Sequence, residues 1–148
     1  MILISHRGNI NGRIPYLENT LDYIDIAIDS NFDVEIDIWL KDDMLYLGHD
    51  KPETRVEYEW LDSRKDWLWL HCKNFDALSY LLGSAPGFKL FYHEQEKYTI
   101  ISNGNIWAHD LSNVDDKCII PLLSKEDVEK WEVCNVYGVC SDYIELLT

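Results

Sequence analysis

Six stretches of this sequence place proton-moving or charge-holding groups where strands are expected to end. They are His6-Arg7, Glu35 with Asp37, His49-Asp50, His71 with Lys73, His93-Glu94, and Asp142. Residues i and i+2 of a strand point to the same face. His71 and Lys73, within LWLHCKN, therefore share a side of a sheet where an ordinary core would want apolar groups. Glu35 and Asp37 in VEIDIWL do the same, opposite Val34, Ile36 and Ile38. Imidazoles that titrate near neutrality, set beside carboxylates, are the repertoire of acid–base catalysis. Each group also admits a plain structural role: a histidine at a strand end can be a hydrogen-bonded surface residue, and Glu35 and Asp37 can be the solvent face of a half-exposed strand. His109-Asp110 reads as a turn with no role, and Trp60, Trp67, Trp69 and Trp131 read as packing.

The elements that must position these groups alternate. ILISH (2–6) reads as a strand, ENTLDYIDIAIDSN (18–31) as an amphipathic helix, and VEIDIWL (34–40) as a strand. KDDMLYLGHD (41–50) reads as a turn and short strand, WLWLHCKN (67–74) as a strand, and FDALSYLL (75–82) as a helix closed by Gly83. Strands are then expected at 88–94, 97–102, 105–110 and 117–123, a helix at 124–131 with Ser124 as N-cap, and a last strand at 136–144. The early strand–helix alternation predicts parallel βαβ units. The later connections are too short for helical crossovers. Several late strands are therefore antiparallel, or a barrel of parallel strands has lost outer helices; in such barrels the C-terminal strand ends form the active-site face.

At 148 residues the length suits a single domain spanning 1–148, and the 47% apolar content suits a packed core. The formal charge of −14 argues against nucleic acid and anionic membrane surfaces as partners. A protein this acidic needs local cationic groups or a bound cation to handle phosphate. No apolar run approaches the roughly 20 residues of a membrane span, and MILISHRGN lacks a signal peptide's basic region. Cys72, Cys118, Cys134 and Cys140 show no CxxC spacing. They read as reduced thiols of a cytoplasmic protein, with a disulfide pair in a secreted one as the alternative.

Taken in order, SHRGN, ENTLDYI, VEIDIWL and LGHD resemble the HRG, ENT, E-x-D and HD signature of the glycerophosphodiester phosphodiesterase family. The resemblance is strong over residues 4–50, partial at HCK and at the closing GVCSDYI, and slight between 84 and 135. It implies an α/β fold, a TIM-type barrel reduced from the usual length of about 250 residues. Several outer helices would be missing, with helices kept near the first, third and seventh strands, and bare staves favouring a homo-oligomer. It also implies metal-dependent cleavage of a small-molecule phosphodiester. His6 and His49 would be the catalytic acid and base, Arg7 and Lys73 would hold the phosphate, and Glu35 and Asp37 would hold a divalent cation. Glu18 would support the site. Family members use a neighbouring substrate hydroxyl as nucleophile and pass through a cyclic phosphate.

One position departs from the pattern. Where the family carries E-x-K, this chain reads His71-Cys72-Lys73. Mg²⁺ or Ca²⁺ suits an all-oxygen site, whereas a nitrogen ligand from His71 favours Mn²⁺ or Zn²⁺. Glu94 is the alternative source of a third carboxylate, and the remaining alternative is a weakened or absent metal site. The competing function is a catalytically inactive barrel that binds a phosphorylated ligand or acts as a scaffold.

Overall fold

The computed structural model describes residues 1–84 and 87–148. Strand β1 (Ile2–His6) leads through a polar turn to α1 (Leu21–Asp29), then to β2 (Asp33–Lys41). β2 folds back into β3 (Met44–Leu47) through Asp42 and Asp43, both at positive φ (51° and 58°), the turn geometry that two-residue hairpins require. β4 (Thr54–Arg55), α2 (Tyr58–Asp62), β5 (Leu68–Cys72) and α3 (Phe75–Ser84) follow. The second half holds β6 (Lys89–Phe91), β7 (Tyr98–Ile100), β8 (Ile106–Ala108), β9 (Cys118–Pro121), α4 (Lys125–Lys130), β10 (Gly138–Ser141) and a terminal 3-10 turn, Ile144–Leu147.

The ten strands among the described residues belong to one mixed sheet. Seven run parallel in the spatial order β6-β5-β2-β1-β10-β9-β8, whereas β3, β4 and β7 join antiparallel. The sheet curls. Ile4, Trp69, Phe91, Trp107, Ile119 and Cys140, drawn from strands across its width, pack with Ile101, just past β7, into one interior cluster. The Ser102 N–H donates to the Leu90 carbonyl at 2.9 Å, drawing the segment after β7 against the β6 edge. On the outer face, α1, α2 and α3 cover Val34, Ile36, Ile38, Leu68 and Leu70, while α4 covers Cys118, Ile120 and Val139. Below the interior cluster, the Trp69 indole donates to Asp33 at 2.7 Å and Lys89 lies 4.4 Å over the Trp69 ring.

The result is a curled, partial barrel with few helices. Both readings of the late connections hold in part: β7–β8 is an antiparallel hairpin, while β8, β9 and β10 are parallel. The expected helix over 18–31 begins only at Leu21, because Asn19 sits at φ 57° and its side chain is engaged elsewhere. Gly83 lies within α3 rather than closing it. The strands of the second half are shorter than their apolar runs, since the flanking residues enter turns. β4, α2 and the terminal turn lack a periodic signal long enough to read. Ser124 and Asp127 form the expected capping box on α4, and all four cysteines are free.

Candidate active site

The turn after β1 is built from two of the sequence's motifs at once. Arg7 adopts φ 58° and Gly8 φ 95°. A Cβ on Gly8 would stand 2.7 Å from the Tyr23 ring, so both conformation and space demand glycine there. The Arg7 N–H donates to the Glu35 carbonyl at 2.8 Å and the Asn19 N–H to the Arg7 carbonyl at 3.0 Å. The Asn19 amide donates to Asp37 Oδ2 at 2.9 Å and accepts from the Asp37 N–H at 3.0 Å. Glu18 lies in this turn, ahead of α1. It accepts from Arg7 (3.3 Å), Asn9 (3.0 Å) and Arg13 (3.0 Å). Although partial burial opposes ionisation, bonds from Arg13 and Asn9 and the Arg7 charge pull its carboxyl down to about 2.

Register places the carboxylates. β1 pairs His6 with Glu35, and β2 pairs Asp37 with His71, so inward-facing residues of three neighbouring staves meet. Glu35 and Asp37 are buried. Arg7 Nε lies 2.9 Å from Asp37 Oδ2, His71 Nδ1 3.2 Å from Asp37 Oδ1 and 3.8 Å from Glu35 Oε1, and Lys73 Nζ 3.7 Å from Asp37 Oδ1. Burial opposes charge on both acids. For Asp37, contacts with His71, Arg7 and Asn19 prevail and hold it well below the usual carboxylate range. For Glu35, burial and the Asp37 charge prevail and push it up.

Among the described residues, Glu35 Oε2 and Asp37 Oδ1 are buried without a hydrogen-bond partner. Orphaned carboxylate oxygens are costly unless something compensates them. One donor atom from each of Glu35, Asp37 and His71 lies within 4.8 Å of the others. His71 Nδ1 faces both carboxylates and Nε2 lies 3.4 Å from the His93 carbonyl; a proton held on Nε2 would leave Nδ1 as the metal-ligating nitrogen. Two orphaned oxygens and one imidazole nitrogen fit a divalent cation.

Glu35 and His71 open into a cavity of about 330 Å³ that all five histidines line. His6 Nδ1 bonds Asp142 Oδ1 at 2.8 Å, which turns Nε2 toward Glu35 at 3.7 Å. Burial opposes its protonation, but the Asp142 bond and the Glu35 charge outweigh burial, so His6 titrates above its ordinary value. β2 outlasts β1, and its free stretch Ile38–Lys41 pairs with β3. That extension carries the loop holding His49 to the cavity. The His49 side chain is 45% exposed and its Nδ1 bonds Asp50 at 2.7 Å. Gly48 is needed in this loop, because a Cβ would meet the Lys51 carbonyl at 2.0 Å. Lys73 lines the cavity. Glu94 sits on its exposed rim, where its carboxylate accepts from the Tyr92 hydroxyl at 2.8 Å.

Several groups of the site carried no assigned role in the sequence reading. Asp142 orients His6, Asn9 bridges Glu18 and Asp142, and Asn19 clamps Asp37. His109, read as a turn residue, reaches His93 with Nε2 atoms 3.3 Å apart. His71, Phe91 and Trp107 stack in sequence, with ring centres 4.9 and 4.7 Å apart. The period-2 rule carried two residues further would have turned His93 and His109 inward with Phe91 and Trp107.

Neither the protein-family models nor the curated proteins searched contain a match to this chain. Among solved structures, the fold is similar to that of glycerophosphodiester phosphodiesterase from Thermotoga maritima. The TM-score is 0.51 at 16% identity, with 99% of this chain and 97% of that chain covered. At that identity the likeness speaks for the fold alone.

Proposed function

We propose that this chain is a metal-dependent phosphodiesterase acting on a small glycerophosphodiester-like molecule within a reduced TIM-type barrel. The observation that carries the reading is the pair of orphaned oxygens on Glu35 and Asp37, surrounded by imidazoles and by Arg7 and Lys73. The shared fold supports it. Glu35, Asp37 and His71 would hold the cation, which when bound supplies positive charge to the phosphoryl oxygens. Arg7, fixed by Asp37 and Glu18, offers its guanidinium to the non-bridging oxygens, and Lys73 adds an ammonium from the neighbouring strand. One imidazole of the pair His6 and His49 takes the proton of a neighbouring substrate hydroxyl as its oxygen attacks phosphorus. The other gives a proton to the alcohol oxygen whose P–O bond breaks, and water then opens the cyclic phosphate. Asp142 keeps His6 Nε2 available for its part. Glu18 and Glu94 serve as supporting residues at turn and rim.

The test is turnover of glycerophosphocholine and bis-p-nitrophenyl phosphate with Mg²⁺, Ca²⁺, Mn²⁺ or Zn²⁺. His6→Ala and His49→Ala should each lower kcat by on the order of 10²-fold or more. Unchanged turnover in both variants would sink the mechanism.

A further inference from the structure

His93 and His109 are used by no step above, yet they meet at the cavity wall. His93 lies two residues past β6 and His109 directly after β8. The His109 segment is held to the chain that follows His93: the His109 N–H donates to the Lys97 carbonyl at 2.9 Å, and the Lys97 ammonium pairs with Asp110 at 3.0 Å. One face of the His93 ring is stacked on His71 at 4.4 Å, while the His109 ring stands at 78° to it. The two Nε2 atoms are 3.3 Å apart. Both residues also line the cavity, so a cation entering it meets the two nitrogens in place of the one proton they can share.

We propose that the His93 and His109 Nε2 atoms form a second cation site, selective for imidazole-seeking transition cations such as Zn²⁺ or Ni²⁺. A tetrahedral cation about 2.0–2.1 Å from each ligand nitrogen sets those nitrogens roughly 3.3 Å apart, the separation already present. Neutral imidazole suits zinc, nickel and copper, whereas Mg²⁺ and Ca²⁺ require oxygen ligands. The remaining positions open to the cavity, as in sites that take solvent or a substrate oxygen. The two sites should thus differ in preference: hard cations fill the Glu35–Asp37–His71 set alone, and borderline cations fill both.

Calorimetric titration of the untagged protein with MgCl₂ and with ZnCl₂ tests this without reference to activity. The wild type should take one Mg²⁺ and two Zn²⁺ per chain. His93→Gln/His109→Gln should keep its Mg²⁺ and lose one Zn²⁺, whereas Glu35→Gln/Asp37→Asn should lose Mg²⁺ and keep one Zn²⁺. The site is refuted if the histidine variant, folded by circular dichroism, binds as much Zn²⁺ as the wild type. It is equally refuted by a wild type whose single Zn²⁺ disappears in Glu35→Gln/Asp37→Asn. Loss of Mg²⁺ binding in the second variant with one Zn²⁺ retained supports the site whether or not the protein hydrolyses phosphodiesters.

Discussion

The orientation of the His6 ring depends on Asp142, which lies 136 residues away in sequence and 2.8 Å away in space. A buried carboxylate on Nδ1 fixes the tautomer and favours the imidazolium. Asp142→Asn removes that charge and should lower kcat by about 10²–10⁴-fold. The direction of the accompanying pH change follows from the same pair. Since Asp142 and Glu35 together hold His6 above its ordinary value, losing Asp142 lowers the His6 pKa. The limb of the kcat/KM profile belonging to His6 should therefore move to lower pH. A limb left in place would show that His6 does not titrate in catalysis.

Two turns determine how well the elements hold the site. Glu18 ties the segment between β1 and α1 to Arg7, Asn9 and Arg13. Its folded carboxyl lies at about 2, against an ordinary value of 4.5. Its stabilising contribution is then complete above about pH 4.5 and lost as pH falls toward 2. Glu18→Gln should flatten the acid-denaturation curve in that window, as read by circular dichroism, and leave the slope above pH 5 unchanged. The β2–β3 hairpin offers the opposite sign. Asp42 and Asp43 both occupy left-handed backbone, which Asn-Gly adopts with less strain. Asp42→Asn/Asp43→Gly should raise stability by about 1 kcal/mol in urea unfolding, with turnover unaffected.

At the scale of the molecule, an acidic chain concentrates buried carboxylates at one mouth of its sheet, and a cation is their natural compensation. A cation that binds only the folded state stabilises it by about 2.7 kcal/mol at 100 times its Kd. For a chain of this size that is on the order of 5–10 °C in Tm. Mn²⁺ or Mg²⁺ added after EDTA treatment should produce that rise in thermal scans, and Asp37→Asn should abolish it. An equal rise in the variant would remove Asp37 from the cation site.

Local pattern determined what lies within a few residues. Alternation in VEIDIWL set Glu35 and Asp37 against Val34, Ile36 and Ile38, and the structure keeps that division, because side-chain direction in a strand depends only on its own backbone. The capping box at Ser124 and Asp127 is local in the same way. The early motifs also pointed to the fold of a glycerophosphodiester phosphodiesterase. Only the tertiary structure decided which distant groups touch. The His6–Asp142 bond requires β1 to lie parallel to β10, and the stacking of His71 on Phe91 requires β5 beside β6. The His93–His109 approach requires the sheet to curl around Trp107 and Ile101. Curl and strand order arise from burying apolar faces drawn from the whole chain, so no window of sequence contains them.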